Sequence, residues 1–381
     1  MKFCVIGPTY PYRGGIAHFT TVLVTYLRRS HDVSFYSFSK PYPRLLFPGN
    51  PEKDPSTHVL RTDCEYLLRP LNPFTWLRAF KRIREERPQV VVLQWWVPFW
   101  TPMSMTISSL VKRFTASKIL FLCHHITPPE GGPFDFLFAR SVLVTGDYFI
   151  VMSDHDYAQL RAVLPQGNIR KTFLPTYDMF DLHTPSHEEA KRRLGISSEE
   201  KTVLFFGFVR RYKGLRYLLE AMPHVLNRVP VRLLIVGEFW EEEQPYKEII
   251  DRLGIRQHVS TVNAYVPNEE VGLYFSAANV VVLPYLEATQ SGVLQMAYAF
   301  GKPVIVTSAG GLAEVVRDGE TGLVVPPKDS PALAEAILRY FEKELEVPFA
   351  RKIAEDKDTF SWINLVHLIE ELVTERTGHK K

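Results

Sequence analysis

The 381-residue sequence holds only three cysteines, and no apolar run approaches the ~20 residues that would cross a bilayer. Cys4, Cys64 and Cys123 are odd in number and scattered. That excludes a disulfide framework and reads as buried, reduced thiols of a cytosolic protein. The opening MKFCVIGPTYPYRGG lacks the hydrophobic segment of a signal peptide, so the expected location is cytoplasmic, at most peripheral at the inner face of a membrane. No HExxH or CxxC spacing is present, so neither a metal nor another cofactor is expected. A GxSxG elbow and a GxxxxGK[ST] loop are also missing, which removes the commonest hydrolase and NTPase chemistries. Nothing calls for a nucleic-acid partner. Low-complexity tracts and fixed-period repeats are absent, and disorder is expected only in the last residues, TGHKK.

The length exceeds what one hydrophobic core usually serves, so two domains are expected, with a ligand cleft between them. Short apolar runs alternate with helical patterns along the chain: KFCVIG, DVSFYSF, QVVVLQ, KILFLC and YFIVM, then TVLFFG, VRLLIVG, VSTVNA, NVVVLP, PVIVT and GLVV. Runs without polar alternation mark strands covered on both faces, as in parallel sheets flanked by helices. The fold class is therefore α/β, with two Rossmann-like doubly wound domains in tandem. The polar segment 177–201 places the change of domain near residue 180, giving domains of 1–180 and 181–357. A terminal helix within 358–381 carries one apolar stripe (Trp362, Leu365, Ile369, Leu372, Val373) that must dock, and the first domain is the expected place. Residues 1–185 carry 21 Lys and Arg against 14 Asp and Glu, and the remainder 24 against 28. This asymmetry fits either an anionic partner near the first half or a solvated basic face.

Four loops could carry chemistry. Gly14 and Gly15 open a helix after the first strand, where backbone amides can approach a phosphate at the positive helix end, unless the turn only connects. The stretch is not a GxGxxG fingerprint, and strand two ends without the acidic residue that would hold a dinucleotide ribose, which disfavours nicotinamide and flavin enzymes. His124 and His125 follow a strand at the edge where ligands of open α/β sheets bind, so His124 could meet a sugar hydroxyl or a proton. FFGFVRRYKGLRYLLEA (205–221) runs a strand through a glycine turn into Arg210, Arg211 and Lys213 before the next helix. Cations held there would stabilise a leaving phosphate as its bond to carbon breaks. Adjacent residues point in different directions, which sets Arg211 apart from the other two. In EATQSGV, Glu287, Thr289, Gln290 and Ser291 precede a helix that starts near Ser291 or Gly292; the polar side chains would bind sugar or ribose hydroxyls and the helix N-terminus with Gly292 would take phosphate oxygens, or Ser291 is a simple N-cap. The Gly310-Gly311 turn either joins this site or is structural.

Asp154-His155-Asp156 matches a DxD metal pattern, but helix capping at Ser153 and Asp154 accounts for it. The run Trp95-Trp96-Val97-Pro98-Phe99-Trp100 and the helix 72–88, with Phe74, Trp76, Leu77 and Phe80 beside Arg78, Lys81, Arg82 and Arg84, suit a membrane surface carrying a lipid-linked substrate. They suit core packing with a solvated back, or stacking on a sugar ring, equally well.

Together, the Gly-Gly loop, the histidine after a central strand, the G-x-x-R-x-x-K-G loop and AYAFGKPVI followed by GGLAEVVRDGETGLVVPP resemble glycosyltransferase family four, of GT-B fold. The resemblance covers nearly the whole chain, including the terminal FSW helix, which in that family returns to the N-terminal domain. It implies two domains facing a cleft and a metal-independent, retaining transfer from a nucleotide-diphosphate sugar (UDP- or GDP-linked) to a hydroxyl acceptor, in polysaccharide or glycolipid assembly at the cell surface. By the same resemblance Arg210 and Lys213 grip the diphosphate, His124 lies near the transferred sugar, Gly14 and Gly15 close on the phosphates, and 289–293 meets sugar and phosphate. The family's Glu-x7-Glu pair is displaced: Ala288 and Met296 occupy the aligned positions, while Glu287 and Gln295 keep the spacing one residue early. Phe208 stands where the family's arginine usually does. Rival readings are a sugar-nucleotide epimerase or phosphorylase on the same fold, and a sugar-nucleotide-binding subunit without turnover.

Overall fold

The computed structural model describes residues 1–40, 53–128, 131–132, 134–181 and 184–375, so the TGHKK tail lies outside the described residues. The chain divides into two compact units, the first made of Met1–Asp54, Val59–Phe173 and Ser361–Lys381, the second of Pro55–His58 and Leu174–Phe360.

Unit 1 is built on seven parallel strands: β1 (Lys2–Ile6), β2 (Asp32–Phe38), β3 (Glu65–Leu68), β4 (Val90–Trp95), β5 (Lys118–Cys123), β6 (Tyr148–Val151) and β7 (Asn168–Lys171), ordered β3-β2-β1-β4-β5-β6-β7. Its helices are α1 (Gly15–Leu27), α2 (Pro73–Glu86), α3 (Thr101–Phe114), α4 (Asp135–Leu143) and α5 (Asp154–Val163). The five apolar runs read from the sequence all become strands. Two further strands, EYLL and NIRK, sit at the two sheet edges. Each has one strand neighbour and is partly exposed, and neither carries a continuous apolar run. Right-handed crossovers put α2, α3, α4 and α5 on one face of the sheet and α1 on the other. In agreement, Trp76, Ile83, Met103, Ile107 and Val142 share one core with Val91, Phe121 and Phe149. The same core holds Trp95 and Trp100, with Trp96 packed edge-on to Trp100 at 4.1 Å. The structure thus resolves that aromatic run in favour of core packing.

Unit 2 holds six parallel strands: β8 (Lys201–Phe206), β9 (Val231–Val236), β10 (Val259–Val262), β11 (Val280–Leu283), β12 (Val304–Thr307) and β13 (Gly322–Val325), ordered β10-β9-β8-β11-β12-β13. Helices α6 (His187–Arg193), α7 (Leu215–Leu226), α8 (Gln244–Arg252), α9 (Asn268–Ala277), α10 (Gly292–Ala299), α11 (Leu312–Val315), α12 (Ser330–Glu342) and α13 (Glu346–Glu355) surround it. All six predicted strands are present. The segment read as a polar connection contains α6, and buried Lys191 ties it down by donating to the carbonyls of Ser198 (3.1 Å) and Glu200 (2.7 Å). The last helix, α14 (Trp362–Thr374), buries Trp362, Leu365, Val366, Ile369 and Leu372. It packs on α1 in unit 1, with the Trp362 ring 5.1 Å from Phe19 and Glu370 2.7 Å from His31.

Candidate functional site

In both sheets the strand order reverses beside the first strand, and ligands of open α/β sheets bind at the carboxyl ends of strands at such a switch point. In unit 2 the switch lies between β8 and β11. The loop after β8 carries Gly207, Phe208, Arg210 and a 3-10 turn, Arg211–Lys213. The loop after β11 carries 284–291 and delivers the chain to α10.

These loops are locked together by backbone. Leu286 N donates to Tyr212 O at 2.7 Å, and Gly214, with φ of 68°, lies so close to Pro284 that a Cβ there would collide with its carbonyl oxygen. A third loop joins them: Gly310, with φ of 47°, packs equally closely on the Ala288 carbonyl, to which Gly311 N donates at 3.3 Å. The Gly310-Gly311 turn therefore braces the loop that carries Thr289. The three strand-to-helix loops singled out in the sequence converge at one place.

Lys213 sits at their centre. Only 8% of it is exposed, its Nζ lies 5.3 Å from the centroid of the Tyr285 ring, and among the described residues no carboxylate pairs with it. A Cβ on Gly207 would lie 3.1 Å from that Nζ and 3.2 Å from Val293, so Lys213 and Val293 meet over the glycine. Burial pulls the ammonium below its ordinary range; Tyr212 opposes this and nearby Arg210 adds to it. The Arg210 guanidinium lies over Tyr212 (5.4 Å) and Trp240 (5.5 Å), whereas Arg211 is exposed, as the reversal of side-chain direction requires. An ammonium stripped of water without a counter-ion is costly unless an anion completes the site.

The remaining residues of this loop divide by burial. Ser291 is the N-cap of α10: its hydroxyl accepts from Leu294 N at 3.3 Å and lies 3.4 Å from the Tyr285 hydroxyl. Gly292 opens the helix with the Tyr177 ring 3.7 Å from where its Cβ would stand. Thr289 is buried, Gln290 half-buried and Glu287 exposed. Gln295 is buried on α10 with its Oε1 unpaired among the described residues. Glu287 and Gln295 thus occupy different environments, one wet and one dry.

In unit 1 the switch lies between β1 and β4. Gly14, at φ of 112°, caps α1 without a side-chain hydrogen bond, and Gly15 begins the helix. A Cβ at Gly14 would meet nothing within 4 Å, so the backbone angle, not crowding, calls for glycine. His124, 2% exposed, follows β5; its Nε2 lies 2.8 Å from Gln94 Oε1 and its ring meets Phe19 edge-on at 4.7 Å. Burial, with a contribution from His125, lowers its pKa to about 3, so the imidazole is neutral and Nε2–H donates to the amide oxygen. Gln94 Nε2 is buried with no partner among the described residues, and Gln94 packs over Gly7. Asp156 takes the opposite role to a metal ligand. Its carboxylate accepts from Ile126 N at 2.9 Å, holding the histidine loop, and from Ser153 Oγ at 2.8 Å, while Ser153 caps α5. Asp154 pairs with Lys171 at 2.7 Å.

Several neighbours escaped the sequence reading. Gln94 looked like the polar end of an apolar strand. Phe208 packs on Trp240 (4.4 Å) and lies 6.0 Å from Tyr265, forming an aromatic platform at the ends of β8, β9 and β10. Trp240 sits in the acidic run GEFWEEE, which has no periodic signal, and only the strand order brings it beside Phe208. Tyr177 and Tyr285 were also invisible.

Comparison with known proteins agrees with this architecture. The family described as glycosyl transferases group 1 matches residues 200–343. A D-inositol 3-phosphate glycosyltransferase of Corynebacterium urealyticum is 30% identical over 227 residues, covering 58% of this chain and 52% of the relative. The chain spans about half the length of the curated relatives it matches. Among solved structures, sucrose-phosphate synthase from Thermosynechococcus elongatus superposes with a TM-score of 0.73 at 19% identity, over 98% of each chain. The Anabaena protein HepE, in complex with UDP-glucose, gives 0.76 at 17% identity over 99% of this chain and 100% of that one. The chain has the fold of the GT-B glycosyltransferases, and its residues 200–343 match the family described as glycosyl transferases group 1.

Proposed function

We propose that the protein transfers a sugar from a nucleotide-diphosphate sugar to a hydroxyl acceptor. The observation that carries this reading is Lys213, a dehydrated ammonium without a carboxylate partner among the described residues, at the switch point of the second sheet. A diphosphate supplies the missing counter-charge, shared with Arg210 and with the N-terminal amides of α10 at Gly292. As the bond from sugar C1 to the diphosphate breaks, the electron pair passes to the leaving oxygen, and these cations gain most when that charge is largest. The Phe208–Trp240–Tyr265 platform offers a stacking face for the base. Thr289 and Gln290 offer hydrogen bonds to hydroxyls, with Glu287 and Gln295 behind them.

In unit 1 we assign the acceptor side, with neutral His124 directed at sugar oxygens and the α1 amides at Gly14 and Gly15 directed at phosphate. No side chain identifies itself as a covalent nucleophile, so retention of configuration rests on the family resemblance. The leaving charge is met by side chains, and transfer is therefore expected to persist in EDTA. Free, buried Cys4 and Cys123, whose thiols burial pushes well above their ordinary range, suit a reducing cytoplasm. Among the described residues no helix is long and apolar enough to cross a membrane. A lipid-linked acceptor used in cell-surface polysaccharide or glycolipid assembly is our reading of the substrate.

A thermal-shift panel of nucleoside diphosphates and their sugars, followed by product analysis with the best donor and added acceptor, tests the proposal. Stabilisation by a diphosphate and a new glycoside are expected. Isomerised or phosphorolysed sugar would assign the site to the rival chemistries, and binding without donor consumption would make the protein a non-catalytic subunit.

A further inference from the structure

Beside the start of α10 stands a buried aromatic side chain that the donor chemistry above leaves unused. Tyr177, just ahead of a 3-10 turn at Asp178–Phe180, is 2% exposed. Its Cζ lies 3.7 Å and its hydroxyl 3.8 Å from where a Cβ on Gly292 would stand, an approach that the bare glycine leaves open. The next residue of the helix, Val293, meets the Lys213 ammonium over Gly207. The first two residues of α10 therefore have a buried phenol and a buried ammonium as neighbours. Helix capping does not require the phenol: Ser291 already accepts from Leu294 N at 3.3 Å, and the hydroxyl 3.4 Å from Ser291 Oγ belongs to Tyr285. The Tyr177 ring is fixed by its surroundings. It stacks on Phe180 with centroids 6.0 Å apart and 11° between the planes. Thr176 N donates to the Phe360 carbonyl at 2.9 Å, and the Phe360 ring meets that of Tyr298, near the far end of α10, at 5.8 Å. Burial raises the phenol's pKa above its ordinary range, so the hydroxyl keeps its proton.

We propose that Tyr177 is a further donor-binding residue, whose phenolic O–H donates to a phosphate oxygen held at the opening of α10. The assignment rests on the diphosphate reading of that site and adds a contact to it. The ring keeps water from the helix end while its one polar atom serves the anion. A neutral donor suits the place: an O–H to a charged oxygen is stronger than a neutral pair, and it adds no further positive charge to be desolvated beside Lys213 and Arg210. Because the ring is already packed, the hydroxyl loses little freedom when the ligand arrives. Thr176 and Phe360 tie the segment that carries Tyr177 to the same helix, so the phenol and the helix end keep their spacing.

Tyr177→Phe keeps the ring beside Phe180 and deletes only the hydroxyl. Calorimetric titration of the full chain with UDP, GDP and inorganic pyrophosphate tests the assignment. The variant should bind each ligand that the wild type binds about tenfold or more weakly, by a similar factor for all, because the lost contact is to phosphate and not to a base. Its ligand-free melting temperature should match that of the wild type; a lowered one would assign the hydroxyl to the fold instead. Equal affinity in the variant would overturn the proposal, as would a weakening confined to one nucleotide. A weakening seen in Tyr177→Ala but not in Tyr177→Phe would make the ring a packing group and overturn it too. A wild type that binds none of the three ligands would overturn the diphosphate reading itself and this inference with it, whereas wild-type binding left unchanged in Tyr177→Phe removes this inference alone.

Discussion

At the scale of residues, the burial that would make Lys213 an anion-binding group is also a stability cost. Its pKa is lowered by burial, so the folded state penalises the charged form and, between the folded value and the ordinary 10.5, the unfolded chain binds more protons. Stability of the ligand-free protein should therefore rise with pH towards 10.5. Lys213→Met removes the penalty: the ligand-free melting temperature is expected to hold or rise, the shift caused by a nucleoside diphosphate to vanish, and transfer to fall by about 10² to 10³. A large loss of stability would show instead that the ammonium is a structural group. His124 makes the opposite prediction at acid pH. With a pKa of about 3 in the fold against 6.5 unfolded, it is neutral when native, and stability should decline as pH falls from 6.5 towards 3. His124→Asn should flatten that decline in urea titrations at several pH values. Gln94→Glu would place a carboxylate 2.8 Å from Nε2 and raise the histidine pKa, moving the acid limb of the pH–rate profile towards neutrality. An unmoved profile would separate His124 from the reacting atoms. The placement of Lys213 and His124 in loops after apolar strands was legible in the sequence. Gln94, Tyr285 and Trp240 were not, because their importance comes from neighbours far away in the chain.

Elements decide how precisely those residues are held. The glycines at 214 and 310 let two loops press against the carbonyls of Pro284 and Ala288, and both have positive φ. Gly310→Ala adds a collision to an unfavourable backbone angle, and a loss of about 1–3 kcal/mol in urea unfolding is expected. The same change should weaken the diphosphate-induced shift, since Thr289 follows the displaced carbonyl by one residue. Unaltered ligand affinity would show that the brace is not part of the site. Strands with unbroken apolar runs were readable one by one, because burial on both faces leaves no room for polar alternation. The short strands β3 and β7, and α6 in a stretch rich in charge, were not, because their partial exposure permits polar residues, whereas the edge strand β13 keeps a mostly buried apolar run.

For the whole molecule, the division into two compact units and one returning helix predict uneven stability. Unit 1 relies on α14, whose apolar stripe covers α1 through Trp362, Leu365 and Ile369. Trp362→Ala should cost about 3–5 kcal/mol and lower a calorimetric transition of unit 1 while leaving that of unit 2 in place. A single transition shifted as one would contradict that independence. The sequence by itself determined the α/β class, the run of interior strands and the cations beyond β8, because each follows from local periodicity or from spacing along the chain. Only the tertiary structure decided that three distant loops converge around one lysine, that Gln94 holds His124, and that Trp95 and Trp100 belong to the core with Trp96 packed against it. Those outcomes depend on strand order and on which helix covers which face, and a chain of residues carries neither until it has folded.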